Sequence, residues 1–187
     1  AHLFSKLKLR HKPLGIDLEK HKDRDKRINF KKVGAIDFFK HCNETFDLIL
    51  IKQTIHLLKI SEIKKLLNFC KNSFNRNGKI IIFILDSSQN EIPTFPLMNK
   101  ELKISLKRDK RIIKFISKLY SSRIAKKFIY NVKISKKKYL EMIKSRYIST
   151  LLKFSSKEIL QGTKEINLKH KKIKKFKDKL QCIIVKK

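Results

Sequence analysis

Glycine, proline, cysteine and acid are all scarce in these 187 residues, and each shortage removes a class of protein. The four glycines (Gly15, Gly34, Gly78 and Gly162) stand far apart, so no glycine-rich loop of the G-x-G kind is present to cradle a phosphate. Two of the three prolines fall within 86–96, and no linker is long enough to split the chain into domains. Cys42, Cys70 and Cys182 are odd in number, widely spaced and contain no C-x-x-C. That argues against a disulfide framework or a zinc site and for a reducing compartment, so a cytoplasmic location is expected. His41 and Cys42 are adjacent, a poor ligand geometry without partners elsewhere, and no metal site is expected. No apolar run approaches the ~18–20 residues that span a bilayer, and no secretory signal is visible. The opening AHLFSKLKLRHKP has the basic, acid-free composition of a transit peptide, and equally that of an amphipathic helix ended by Pro13.

Sixteen acids face 48 Lys and Arg, a net charge of +32. Two explanations stay open. A basic protein gathers polyanions, because its cations release counterions from phosphates. Alternatively the bias is compositional: Lys outnumbers Arg 40 to 8, and with Ile, Phe and Asn it is what an AT-rich coding sequence favours. Binders of nucleic acid also tend to use Arg for bidentate contacts, whereas Lys here is spread over every segment. RNA is therefore a possible partner through a basic surface.

What is present is a chain of single-domain length, 41% hydrophobic, organised around 46–85. Phe46–Ile51 is apolar apart from Asp47. Ser61 is placed to cap a helix whose Ile63, Leu66, Leu67, Cys70 and Phe74 recur at helical spacing. Asn75-Arg76-Asn77-Gly78 reads as a stop, and Lys79–Leu85 runs apolar without alternation, which predicts a strand covered on both faces. This is a βαβ unit. Upstream, Leu14–Leu18 reads as a short strand carrying Asp17, 19–27 as solvated, 28–34 as a further strand and 36–41 as a turn or short helix. Downstream, 86–96 is loop and 97–153 mostly helical, with 18 Lys/Arg against three acids. Ser155 to Glu158 is a capping box opening a helix to about Ile166. Two strands, 172–176 and 180–185, close the chain. The alternation predicts a doubly wound α/β sheet, with ligands beyond the strand ends that carry Asp17, Lys52-Gln53 and Asp86.

Several of these stretches, in this order, resemble the class I S-adenosylmethionine-dependent methyltransferases. Gly15-Ile16-Asp17-Leu18 is similar to the family's second strand, G-x-D-x. Val33-Gly34-Ala35-Ile36-Asp37 resembles its G-D-A segment, and Phe46–Leu57 its fourth-strand motif with a His at the following helix start. Asn77-Gly78-Lys79 resembles its N-G-G turn, and Phe176-x-Asp178 with Leu180–Val185 its closing antiparallel hairpin. The resemblance implies a Rossmann-like sheet with a helical insertion after the fifth strand and a C-terminal antiparallel strand pair. It makes 1–187 one incomplete methyltransferase domain in which 92–150 caps the substrate.

It further implies S-adenosylmethionine as cofactor and a small-molecule acceptor; the alternative is a basic RNA-associated protein, either a non-catalytic module or an RNA methyltransferase. Asp17 would hold the ribose and Leu18 pack on adenine. Ala35 and Ile36 would border adenine, with Asp37 in reserve because Ala35 stands where the family has Asp. Lys52 and Gln53 would line the methionine end through their backbone. His56 is either a general base or a structural histidine, and Tyr139, Arg146 and Tyr147 either grip substrate or serve packing and surface. The family's first strand and glycine-rich loop have no counterpart here; residues 1–12 fit the helix that follows that loop, and the 187 residues are expected to be inactive alone.

Overall fold

The computed structural model describes residues 9, 11–19, 25–86, 91–120, 123–173 and 175–186. The expected helix over 1–12 lies outside them. The elements run β1 (Leu14–Asp17), β2 (Asn29–Lys32), α1 (Ala35–Lys40), β3 (Phe46–Lys52) and a 3-10 turn (Ile55–Leu57). They continue with α2 (Ile60–Asn72), β4 (Phe74–Leu85), α3 (Pro96–Leu119), β5 (Arg123–Lys133) and α4 (Lys136–Lys144). A second 3-10 turn (Ser149–Lys153), α5 (Ser156–Lys169) and β6 (Lys175–Lys186) complete the order.

Two sheets result. β1 and β2 pair in parallel, and a four-stranded sheet has the order β3-β4-β6-β5. β3 and β4 are parallel; β6 runs antiparallel to both β4 and β5. The βαβ unit is as expected. Ile49, Ile80, Ile82, Ile84, Ile183 and Val185 point to one face, where Ile63, Leu66, Leu67 and Cys70 of α2 and Ile112 and Ile116 of α3 bury them. Ile16, Ala35 and Ile36 join the same core, which ties the small sheet and α1 to it.

Four expectations need correction. The sheet is divided in two rather than continuous, because among the described residues β1 bonds only to β2 and β3 only to β4. Cover of the other face is partial: Cys182 is buried there and Phe83 packs on Phe128, whereas Leu48 and Leu50 of β3 are 40% and 37% exposed, so the unalternating run of β4 does not mean two fully covered faces. The stretch 92–150 is not wholly helical, since β5 crosses it; the β-branched and aromatic run Phe128-Ile129-Tyr130-Asn131-Val132 pairs with β6 over eleven register positions, and tertiary pairing wins over local lysine-rich helix propensity. The closing pair 172–176 and 180–185 is one strand, and its hairpin partner is β5.

Caps differ in how well they read from sequence. Ser155 Oγ accepts the Glu158 backbone N–H at 3.3 Å while Glu158 Oε2 accepts that of Ser155 at 2.8 Å, the reciprocal box expected. α2 instead starts at Ile60, where Glu62 Oε2 accepts the Lys59 N–H at 2.6 Å. The Asn75–Gly78 stop lies inside β4, where the register slips between Phe46 and Leu48 and Gly78 folds against the Phe74 ring.

Helices α4 and α5, the second 3-10 turn and the start of α3 surround a second core of Phe95, Met98, Tyr139, Ile143, Leu151, Ile159 and Ile166. Gly162 is what lets α5 approach Phe95: a Cβ there would lie 2.5 Å from the ring. Gly162→Ala is expected to cost about 1–3 kcal/mol by overpacking. A fall of roughly 3–10 °C in thermal unfolding midpoint should follow, measured by circular dichroism.

Candidate functional site

The chemistry-bearing residues gather where strands end. At the end of β1 the Asp17 carboxylate accepts the Glu19 N–H at 3.1 Å, a local turn that fixes the carboxyl beside its own backbone. The Val33 N–H donates to the Asp17 carbonyl at 3.0 Å, which draws the β2 exit alongside. A Cβ on Gly34 would meet Leu18 Cδ2 and Asp37 Oδ2, each at 3.5 Å. The bare Gly34 backbone is thus flanked by an apolar side chain, 66% exposed, and a carboxylate. Asp17, Leu18, Gly34 and Asp37 form one small cradle. Ala35 and Ile36 turn away from it towards the core.

β3 ends in a strained step. Gln53 has φ of 52°, left-handed backbone that a residue with a side chain adopts at a cost of about 1–2 kcal/mol. Its N–H donates to the Phe83 carbonyl at 2.9 Å, so the ladder to β4 holds the strain in place. Substitution Gln53→Gly is therefore expected to leave the fold as stable or up to about 1 kcal/mol more stable, and Gln53→Val to destabilise it, in urea unfolding.

Beyond the turn, His56 Nε2 lies 3.3 Å from Ser149 Oγ, a contact from the loop after β3 to the second helical core. Burial, then the Arg108 guanidinium, lowers the His56 pKa and favours the neutral ring. Arg108 itself donates to the Leu58 carbonyl at 3.0 Å. Lys153 and Glu101 pair at 2.9 Å, a tie between the second 3-10 turn and α3.

The three residues expected to grip substrate divide. Tyr139 is fully buried, its hydroxyl donating to the Pro93 carbonyl and its pKa pushed up by burial; it packs on Phe176 and is a core residue. Arg146, with φ of 53°, donates to the Phe154 carbonyl at 3.0 Å and Ser156 Oγ at 3.3 Å, binding the turn before α5. Only Tyr147 is open, 76% exposed.

Two further acids lie towards the ends of β4 and β6, Asp86, expected at a ligand-facing strand end, and Asp178, which sequence reasoning did not single out as a site residue. Asp86, buried just past β4, pairs with Lys127 at 3.2 Å, and its N–H donates to the Lys179 carbonyl. Asp178 lies opposite Tyr130 on β5, two residues before the Leu85–Leu180 pair. Its Oδ1 is buried without a hydrogen-bond partner; burial raises its pKa and the Lys52 ammonium pulls it back. The available signal was that Asp178 is the only acid after Glu165 in a lysine-rich tail. A surface depression of about 200 Å³ between Phe95, Leu97, Gln161 and Gly162 has none of the strand-end residues in its wall. Among the described residues no cluster of His, Cys, Asp and Glu could hold a metal, and no helix is long and apolar enough to cross a membrane.

No protein family and no curated protein matches the chain. Solved structures do. The plantazolicin methyltransferase BpumL, in complex with a pentazolic desmethylPZN analog and SAH, is 12% identical over 99% of this chain and 70% of its own, with a TM-score of 0.49. A SAM-dependent methyltransferase from Archaeoglobus fulgidus is 18% identical over 93% and 75%, with a TM-score of 0.48. The N-methyltransferase NodS from Bradyrhizobium japonicum WM9, in complex with SAH, is 10% identical over 92% and 65%, with a TM-score of 0.43. At these identities and scores the likeness assigns no residue a role.

Asp109, buried in α3, offers a check on the electrostatics of this layer. Its Oδ1 has no hydrogen-bond partner, and burial pushes its pKa up to about 6 against the opposing pull of Arg108. A carboxyl raised on folding favours the folded state when protonated, so stability is lost as pH rises towards about 6. Asp109→Asn is expected to raise the thermal midpoint at pH 8, with the gain shrinking to nothing by about pH 4.

Proposed function

We propose that this chain belongs to a class I S-adenosylmethionine-dependent methyltransferase whose acceptor is a small molecule. The observation that carries the reading is the cradle at the β1 and β2 ends. It combines a carboxylate fixed at a strand terminus, an exposed apolar side chain and a glycine backbone open to close approach, with a second carboxylate beside it. Those are the groups a nucleoside needs. Asp17 accepts the ribose hydroxyls, Leu18 lies on the purine face, and Asp37 accepts the exocyclic amine in place of the acid missing at Ala35. The placement of antiparallel β6 between β4 and β5 supports the same reading, as does the strained Gln53 turn, which turns backbone groups of 52–53 past the sheet edge.

When bound, the cofactor supplies a methyl group already activated on a sulfonium, so the protein's work is alignment and desolvation. His56, held neutral and tied to Ser149, links the loop after β3 to the helices that select the acceptor. That selecting layer is assigned to the second core and the Tyr147 surface rather than to Tyr139 or Arg146. Asp178, with one unpartnered oxygen and a raised pKa beside Lys52, is suited to receive a cationic or proton-releasing acceptor group.

The test is a titration of the 187-residue chain with S-adenosylhomocysteine followed by amide NMR. Shifts confined to 17–18, 34–37 and 52–53, with affinity in about the millimolar range, are expected. Asp17→Ala should weaken binding about tenfold to a hundredfold, since a carboxylate holding two hydroxyls contributes ~1.5–3 kcal/mol, whereas His56→Ala should leave it unchanged. Scattered shifts, or equal losses in the two variants, would overturn the assignment.

A further inference from the structure

The longest helix carries a long row of charge. On α3, Lys100, Lys103, Lys107, Lys110, Lys114 and Lys118 are all exposed and recur every three or four residues. At 3.6 residues per turn they fall within a sector of about 100°, opposite the buried row of Met98, Leu102, Asp109, Ile112 and Ile116. The row rises in steps of about 4.5–6 Å and extends about 27 Å. Arg111 sits on its margin. Among the described residues none of the six lysines is in an ion pair. Neither acid of the helix interrupts the row: Asp109 is on the buried side and Glu101 is taken by Lys153.

What sets α3 apart is the length and regularity of its row. Eight of the twelve exposed positions on α3 are Lys or Arg, against three of nine on α5 and three of four on the much shorter α4. A membrane surface is the poorer match, because the apolar side of α3 is consumed by the core and only Leu97 and Ile104 stand exposed beside the row. The row offers point charges without bidentate forks, and it has no exposed aromatic ring for stacking.

We propose that the outer face of α3 binds the phosphate backbone of a nucleic-acid strand, without reading sequence. Successive lysines along a straight 27 Å row (about 1.5 Å per residue) track successive phosphates of one strand. The site lies on the flank of the α/β layer, separate from the cradle at Asp17, so the strand is a tether and not the methyl acceptor.

The experiment uses a fluorescein-labelled 16-residue oligouridylate and anisotropy at 50–200 mM salt. With about five phosphates neutralised, log K should fall against log salt with a slope of about −3.5, a loss on the order of a hundredfold across that range. Reversing Lys103, Lys107, Lys110 and Lys114 to Glu should weaken binding at least about tenfold and flatten the slope by about 0.7 for each phosphate no longer neutralised. The corresponding Gln variant should do so to a smaller extent, and it serves if the Glu variant unfolds by circular dichroism. A control that reverses Lys64, Lys157, Lys164 and Lys169 carries the same net charge and should bind within about threefold of the parent. Equal loss in stripe and control variants would mean bulk charge, and would overturn the site. So would absence of binding at 50 mM salt, or binding to phosphatidylserine vesicles in preference to the oligonucleotide.

Discussion

The ladder on β4 is the constraint from which the rest follows. This strand alone pairs with a parallel neighbour on one side and an antiparallel one on the other. Its Ile80, Ile82 and Ile84 are completely buried, so the side-chain alternation fixes which face receives α2 and α3. A slip of one residue would send that row to the open face. The same register delivers Phe83 to hold Gln53 in its left-handed turn and sets Asp86 against Lys179. Core packing and site geometry are therefore one specification read at two ends of the same strand.

Among the described residues His56 to Ser149 is a polar tie from the loop after β3 to the elements of the second core, and Glu91 meets the Lys177 N–H and the Lys179 ammonium on β6. A surface ion pair such as Glu91–Lys179 contributes about 0–1 kcal/mol. The continuous elements that join the two cores are α3 and the β5–β6 hairpin. α3 contributes Met98 to one core and Ile112 and Ile116 to the other. Its outer face is consequently the longest uninterrupted helical surface in the described molecule, and a ligand lying along it would span both units.

Legibility followed the sequence distance of each residue's partners. Elements whose pattern is local were visible: the apolar face Ile63–Leu66–Leu67–Cys70, the capping box at Ser155, and the end of β1 at Asp17. Features set by distant partners were not. Within 123–133 the run Phe128–Val132 is the one local strand signal, and it sits among lysines in a stretch read as helical; the pairing that decides it comes from residues 175–185. Asn75–Gly78 has the composition of a stop, but Phe74 and the β3 ladder recruit it into a bulge. For Tyr139 and Arg146 the sequence left gripping substrate, packing and surface open, because the partners that decide, Pro93 and Phe154, are not visible in a local pattern.

In so basic a chain the informative side chains are the acids. Lysine is spread over the whole surface, so its presence discriminates only where it forms a long regular row, as on α3. Sixteen acids are few enough for many to show a use. Glu62 and Glu158 cap helices, Asp25 binds Arg27, Glu101 binds Lys153, and Asp86 binds Lys127. Against that pattern Asp109 and Asp178 stand out, since each keeps a buried oxygen without a hydrogen bond while cations crowd the surface. A carboxylate that goes unsatisfied amid such an excess of donors is held away from them by packing, at a cost of about 1–3 kcal/mol. In α3 that packing is the core itself and needs no ligand to explain it. At Asp178 it is a strand, beside Lys52 and opposite the exposed Tyr130.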